Sequence, residues 1–260
     1  MSVTDASEKV EISVLVPVMN EAGNIRPLMN EIAAVFVGRS FEILYINDGS
    51  TDNTAGELAD AGADIPQLRV LNHQRRSGQS AALRSGLFAS RGDIIAVLDG
   101  DGQNIPADFV QIEQALIEAR PAQGMAGGVR TNRQDSWIKL RASRCAKWIR
   151  ASMLGDSHPD SGCGIKMVDR DIFLKLPYFD HMHRFMPVLV RREGGVVLPV
   201  PVGHRARERG ISKYGVIDRL VVGITDILGV IWLMKRTAHP GRVTEAGVTS
   251  RSDTTQNNED

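Results

Sequence analysis

Net charge is what this sequence most plainly lacks: 31 Lys and Arg balance 31 Asp and Glu over 260 residues. Such a chain has no overall field to gather a polyanion, so nucleic acid is not an expected partner. Cysteine is scarce. Cys145 and Cys163 have no metal-ligand spacing and are too few for a disulfide framework, which points to a reducing compartment. No segment reaches the roughly 18–20 consecutive apolar residues of a transmembrane helix. Residues 1–10 carry Asp5, Glu8 and Lys9 without an apolar centre, unlike a signal peptide. There is also no Gly-x-Gly-x-x-Gly after the first strand and no Gly-Lys-Ser/Thr loop, which excludes the dinucleotide fingerprint and the P-loop. A nucleotide bound here would be held by carboxylates and a cation, with little help from a glycine cradle.

What is present is a regular alternation of apolar strands and helical stretches. Ile12-Ser13-Val14-Leu15-Val16-Pro17-Val18 reads as a first strand, followed by a helix from about Ile25 to Phe36 with Leu28, Ile32 and Val35 on one face. Phe41 to Asp48 is a second strand ending in an acid, and Thr51 or Asp52 suits the N-cap of a helix running to Ala61. Leu68 to Leu71 is a short third strand, and Gly78-Gln79-Ser80-Ala81-Ala82 opens a helix to about Ser90. Ile94 to Leu98 is a fourth strand. Continuous apolar strands at βαβ spacing predict an α/β fold with a mostly parallel sheet and helices on both faces. In such sheets ligands bind beyond the carboxyl ends of the strands. The polar clusters Pro17 to Glu21, Asp48 to Asp52 and Asp99 to Gln103 all fall there. Asp99-Gly100-Asp101 is the most informative of them, because two carboxylates at the open end of a buried strand suit a hard divalent cation that leaves positions for phosphate oxygens. The competing reading is a turn, for which Asp and Gly are also favoured.

Val16-Pro17-Val18-Met19-Asn20-Glu21, Asn47-Asp48-Gly49-Ser50-Thr51-Asp52, Gly78-Gln79-Ser80-Ala81-Ala82 and Asp99-Gly100-Asp101-Gly102-Gln103 together resemble the family 2 glycosyltransferases of GT-A fold. Within them the likeness is to the dolichol-phosphate mannosyltransferase and polyprenyl-phosphate glycosyltransferase branch, over most of residues 11 to 215. The resemblance implies that Pro17 and Glu21 contact base and ribose of a sugar nucleotide and that Asp48 contacts the base. Val18, Asn20, Ser50, Gln79 and Gly100 belong to the same matching motifs and are carried over as nucleotide-sugar contacts. Asp99 and Asp101 correspond to the binding pair for Mg2+ or Mn2+, with Gln103 completing the metal shell. For Asp48 helix capping is the bland alternative, and for Glu21 a solvated loop acid.

The second half is locally basic. A helix from about Asp135 would place Lys139, Ser143, Lys147 and Arg150 on one face, beside a stripe of Trp137, Arg141, Arg144 and Trp148. Tryptophans among cations suit lipid headgroups, although a solvated charged helix has the same composition. The resemblance puts Arg130 and Arg133 at the acceptor lipid phosphate, a task for which guanidinium forks are chemically apt. Asp160-Ser161-Gly162-Cys163-Gly164 matches an acidic segment near the acceptor, and Asp160 receives no firm role. His204 to Tyr214 resembles the Arg-x-x-Gly-x-Ser-Lys loop. It implies Arg207 and Lys213 at the donor diphosphate, and Ser212 with the acceptor phosphate.

Val216 to Arg236 is apolar and helical in pattern, with Asp218, Thr225, Asp226 and Gly229 in one sector of the wheel. A helix lying in the membrane interface is the preferred expectation, and docking on the core or on a second subunit is the next. The expected organisation is an N-terminal tail (1–10), a GT-A domain (11–215), this helix (216–236) and a disordered tail (237–260). The expected activity is inverting, metal-dependent transfer of a sugar from a nucleotide-sugar to a polyprenyl phosphate. It would occur at the cytosolic membrane face, with Asp99, Asp101, Arg207 and Lys213 as the catalytic set. Assembly with like chains stays open. The alternatives are a glycan hydroxyl acceptor with Asp160 as general base, and a non-catalytic sugar-nucleotide sensor.

Overall fold

A computed structural model describes residues 9–131, 154–155, 158–206 and 216–236. The strands are β1 (Ile12–Val18), β2 (Phe41–Asn47), β3 (Leu68–Asn72), β4 (Ile94–Val97), β5 (Gly124–Arg130), β6 (Lys166–Asp169) and β7 (Val196–Val202). The helices are α1 (Ile25–Val35), α2 (Thr54–Gly62), α3 (Gln79–Ala89), α4 (Phe109–Glu118), α5 (Arg170–Lys175), α6 (Met186–Arg192) and α7 (Val216–Lys235). They form one sheet in the order β3-β2-β1-β4-β6-β5-β7. Every pairing is parallel except the two made by β6, which runs against β4 and β5. The predicted α/β architecture, with its first four strands and the three helices between them, is therefore observed. α4, β6, α5, α6 and β7 were not anticipated.

The alternation of side chains explains why the strands read as unbroken apolar runs. Val14, Val16, Ile43, Tyr45 and Ala96 face α1, α2 and α4, whereas Leu15, Leu44, Ile46, Ile95 and Val97 face α3, α5 and α6. Both faces of the central strands are buried, so neither needs a polar side chain. The exception stands at the amino end of the sheet. There the Ser13 hydroxyl donates to Glu42 Oε1 at 2.7 Å, and Arg69 Nη1 donates to Glu42 Oε2 at 2.5 Å. A buried carboxylate there is satisfied by partners of its own, away from the opposite rim.

One capping expectation is corrected. The residue before α2 is Asn53, which makes no side-chain cap bond. Asp52 instead accepts the Thr54 amide at 3.0 Å and, through its other oxygen, the Ala22 amide at 3.1 Å. Its carboxylate ties the loop after β1 to the start of α2.

The C-terminal helix packs on the core through one face. Val230 is fully buried, with Ile227, Ile231 and Met234 partly buried on the α3/α5/α6 side of the core. Arg192 Nε donates to the Leu233 carbonyl at 3.3 Å. The polar sector of the wheel is not simply the outer one: Asp226 turns inward to within 3.3 Å of His181 Nδ1. What faces outward is an apolar stripe of Ile224, Leu228 and Trp232, 55–59% exposed. Core packing selects which face is covered, and the charge pattern alone could not say that. Among the described residues no helix is long and apolar enough to cross a membrane.

Candidate active site

The carboxyl ends of β1, β2 and β4 meet on one rim because the register places Val18 opposite Asn47 and Leu15 opposite Val97. Asp48 stands just past β2. Its Oδ1 accepts the Ser77 amide at 2.8 Å and its Oδ2 accepts the Gly78 amide at 2.7 Å, immediately before α3. His73 Nδ1 lies 2.7 Å from Oδ1, and its Nε2 lies 2.9 Å from the Ser85 hydroxyl. Asp48 therefore anchors the amino end of a helix, but α3 rather than the one that follows it in sequence. The close approach of the two loops requires Gly49: with φ at +67°, a Cβ there would sit 2.6 Å from the Arg76 amide nitrogen.

Asn20 and Ser50 face each other across the rim. The Asn20 amide donates to Ser50 Oγ at 3.0 Å, and the Thr51 amide donates to Asn20 Oδ1 at 2.7 Å. Asn20 does this from a left-handed backbone conformation, φ +53°, which Asn tolerates better than most residues. The Glu21 amide donates to Thr54 Oγ1 at 2.9 Å, and Glu21 Oε2 accepts from Asn24 at 3.0 Å. Gly100 lies against Val18, where a Cβ would come within 2.4 Å of Cγ1. The motif residues Pro17, Val18, Asn20, Glu21, Asp48, Ser50 and Gly100 are thus brought together, and many of them first hold one another.

Asp99 follows at the end of β4. Gln79 Nε2, in the first turn of α3, donates to Asp99 Oδ1 at 2.7 Å. Burial raises the Asp99 pKa, and the Asp101 charge raises it further. Lys166, the Gln79 bond and Arg130 pull the other way. Asp101 Oδ1 accepts the Gln103 amide at 3.1 Å, closing the turn that aims its carboxylate. Gly164 packs directly on Asp99, such that a Cβ there would lie 2.1 Å from Oδ2. Two close carboxylates on a rim repel each other until a cation joins them, and their oxygens are the hard donors that Mg2+ or Mn2+ prefers. Among the described residues there is no group of three or more His, Cys, Asp or Glu side chains to hold a metal. The pair fits a hard divalent cation that keeps positions open for other oxygen ligands.

Arg130 ends β5, which is parallel to β4 within the sheet and so reaches the same rim. Its Nε and Nη2 fork onto Asp160, at 2.7 Å to Oδ2 and 2.9 Å to Oδ1. Asp160 thereby gains a definite local role as the counterion of Arg130. Gln103 is linked to the strand-seven loop: the Arg205 amide donates to the Gln103 carbonyl at 2.8 Å, and the Arg205 fork grips Glu31 at 2.7 and 2.9 Å. Arg133, Arg207, Ser212 and Lys213, and the basic stretch 135–150, lie outside the described residues.

The model of glycosyl transferase family 2 matches residues 13–176, most of the sheet and all of this rim except Arg205 and the following loop. The chain belongs to that family. A dodecaprenyl-phosphate galacturonate synthase of Rhizobium johnstonii is 35% identical over 246 residues, covering 91% of this chain and 71% of the relative. An undecaprenyl-phosphate 4-deoxy-4-formamido-L-arabinose transferase of Enterobacter sp. is 33% identical over 208 residues, covering 78% of this chain but only 62% of that protein. The chain thus spans about two thirds of the length of these relatives. Glucosyl-3-phosphoglycerate synthase from Mycobacterium tuberculosis, solved with Mn2+, UDP-glucose and glycerol 3-phosphate, superposes with a TM-score of 0.63 at 19% identity. That match covers 89% of this chain and 82% of the other. At that identity the likeness is one of fold, and it is the GT-A fold expected of a family 2 glycosyltransferase.

Three features of this glycosyltransferase site escaped the sequence. The His73 link between Asp48 and Ser85 joins side chains from three elements. His183 lies 2.9 Å from the Ser80 hydroxyl through Nδ1, beside the turn that carries Gln79. Lys166 is buried in the antiparallel strand β6, across from Val97. A lysine in Gly-Ile-Lys-Met-Val stands out only once that segment is known to be an interior strand.

Proposed function

We propose that this domain transfers a sugar from a nucleotide-sugar to a polyprenyl phosphate, inverting the anomeric configuration, at the cytosolic face of a membrane. The observation that carries the reading is the meeting of Asp99 and Asp101 with the Arg130–Asp160 fork on one rim, where β4 leads into the first pair and β5 ends in Arg130. The names of the relatives point to the same acceptor class, and the Mn2+ and UDP-glucose of the structural neighbour point to the donor class. Bound between Asp99, Asp101 and the donor, Mg2+ or Mn2+ would neutralise charge on the departing diphosphate.

The remaining steps belong to the chain. Gln79 holds the Asp99 carboxylate in orientation, and the turn closed by Gln103 holds Asp101. Pro17, Glu21 and the Asp48 loop confine base and ribose. Arg207 and Lys213 supply positive charge where the diphosphate gains negative charge, which is where binding energy lowers a barrier. Arg130, Arg133 and Ser212 present the acceptor phosphate. An acceptor oxygen, already anionic, attacks the anomeric carbon in line as the bond to the diphosphate breaks, and no general base is required. The Arg130 fork disfavours Asp160 as a base for a hydroxyl acceptor, because both carboxylate oxygens already accept from a guanidinium. The outward stripe of Ile224, Leu228 and Trp232, followed by Lys235 and Arg236, would rest on lipid headgroups.

The test supplies radiolabelled UDP-, GDP- and CMP-sugars with Mn2+ and undecaprenyl phosphate in detergent. Label from one donor should enter the organic phase with wild type and not with Asp101→Ala. Label appearing only in a polysaccharide would replace the acceptor. Metal-independent nucleotide binding without transfer would leave a sensor.

A further inference from the structure

Lys166 is 5% exposed, on a strand flanked on both sides. The antiparallel register sets it opposite Val97, with its side chain on the same face of the sheet, two residues short of Asp99. Gly164, two residues earlier on its own side, is what packs on the Asp99 carboxylate. Lys166 borders a seam shared with His158, Asp160, Cys163 and Pro187 that is too narrow for a water molecule. Among the described residues its ammonium makes no hydrogen bond or ion pair, although such a group carries three N–H donors. Asp99 and Asp160 are the carboxylates that act on it electrostatically.

Both of those acids have other work. Asp160 is matched by the Arg130 fork, and Asp99 with Asp101 is matched by a divalent cation in the proposed reaction. His183, close enough to respond to Lys166, stays neutral because burial pushes its pKa down to about 3. Burial lowers the Lys166 pKa, and the Asp99, Cys163 and Asp160 charges oppose that shift; an ammonium behind the reacting centre is costly in such an interior unless an anion arrives. We infer that Lys166 is an oxyanion-binding residue of the substrate site, taking a negatively charged oxygen that the substrates bring to the floor between Asp99 and Arg130. This rests on the sugar-transfer reading. The oxygen belongs to a carboxylate on the sugar or to a phosphate of donor or acceptor, and the chemistry of recognition is the same for each.

Isothermal titration of the whole chain with Mn2+ separates these sources. The probes are the nucleoside diphosphate selected by the donor panel, its galactose and galacturonate conjugates, and a short-chain polyprenyl phosphate. Lys166→Met should weaken at least one probe tenfold or more, and Lys166→Arg should restore it to within threefold. A loss confined to the galacturonate conjugate assigns a sugar carboxylate. A loss shared by all nucleotides assigns the diphosphate, and a loss confined to the lipid assigns the acceptor. Thermal melting reports whether each variant folds. Binding of every probe within twofold of wild type by a folded Lys166→Met overturns the inference. So does a general loss that Lys166→Arg fails to rescue, or a wild type that binds none of the probes. Intact, Lys166-dependent binding without any lipid-linked product would instead refute the transfer reading alone.

Discussion

Gly164→Ala offers the sharpest test of the geometry around the carboxylate pair. A Cβ at that position would lie 2.1 Å from Asp99 Oδ2, 2.4 Å from Cγ and 2.8 Å from Asn104 Nδ2. Ordinary contact begins above 3 Å, so the carboxylate must move by about 1 Å, and the Asn104 side chain must give as well. Asp99 is short, and its Oδ1 is held by Gln79 at 2.7 Å, so the movement strains or breaks that bond. A charge-assisted bond of this kind contributes about 1.5–3 kcal/mol, and overpacking costs a further ~1–3 kcal/mol. An error of about 1 Å in a positioning group costs on the order of a hundredfold in rate. The expected result is a folded protein with weakened Mn2+ binding and kcat/KM for lipid-linked product about a hundredfold lower. Gly162→Ala is the control, because nothing lies within 4 Å of a Cβ there. It should match wild type in all three measurements. A Gly164→Ala protein that binds Mn2+ and transfers sugar normally would show that Asp99 does not act from the position described.

Removal of the carboxylate in Asp48→Ala leaves the Ser77 and Gly78 amides and His73 without their acceptor. Unfolding in urea should show a loss of roughly 2–4 kcal/mol, with hydrogen exchange rising first at the start of α3. Asp160→Asn and Arg130→Met should each destabilise by about 3 kcal/mol through the uncompensated buried partner. The double variant should lose clearly less than the sum in a double-mutant cycle, and simple additivity would deny the fork. His183 gives a pH signature. Burial first, then the charges of Lys166, Arg184 and His181, lower its pKa from 6.5 to about 3, so the unfolded chain binds a proton that the native chain refuses. Its stabilising contribution is complete above pH 6.5 and lost as pH falls towards 3, at about 1.4 kcal/mol per pH unit. The urea-derived stability of His183→Gln should therefore change less between pH 6.5 and 4.5 than that of wild type, and parallel curves would contradict the burial of a neutral imidazole. Trp232→Ala should bind anionic lipid vesicles several-fold more weakly in cosedimentation, with transfer to detergent-dispersed acceptor unchanged.

The local pattern determined a great deal. Unbroken apolar runs ending in acids place β1, β2 and β4 in a parallel sheet with the acids on one rim, because buried strands need apolar residues on both faces and open α/β sheets expose their carboxyl ends. Asp99 and Asp101 were legible for that reason, as were the motif residues of the first two loops. Other features depended on contacts between distant segments, which spacing along a chain does not encode. Asp48 caps α3 thirty residues away, a choice made by the crossing of two loops at Gly49. Arg130 and Asp160 are also thirty residues apart, and each looked like a separate functional candidate until the sheet brought them into one fork. α7 carries residues compatible with either of two faces, and the packing of Val230 decided which one the core covers. Lys166 is the clearest case. Nothing in its neighbours along the chain distinguishes it from a surface lysine, and only the insertion of β6 between β4 and β5 takes it out of water and sets it behind the carboxylates.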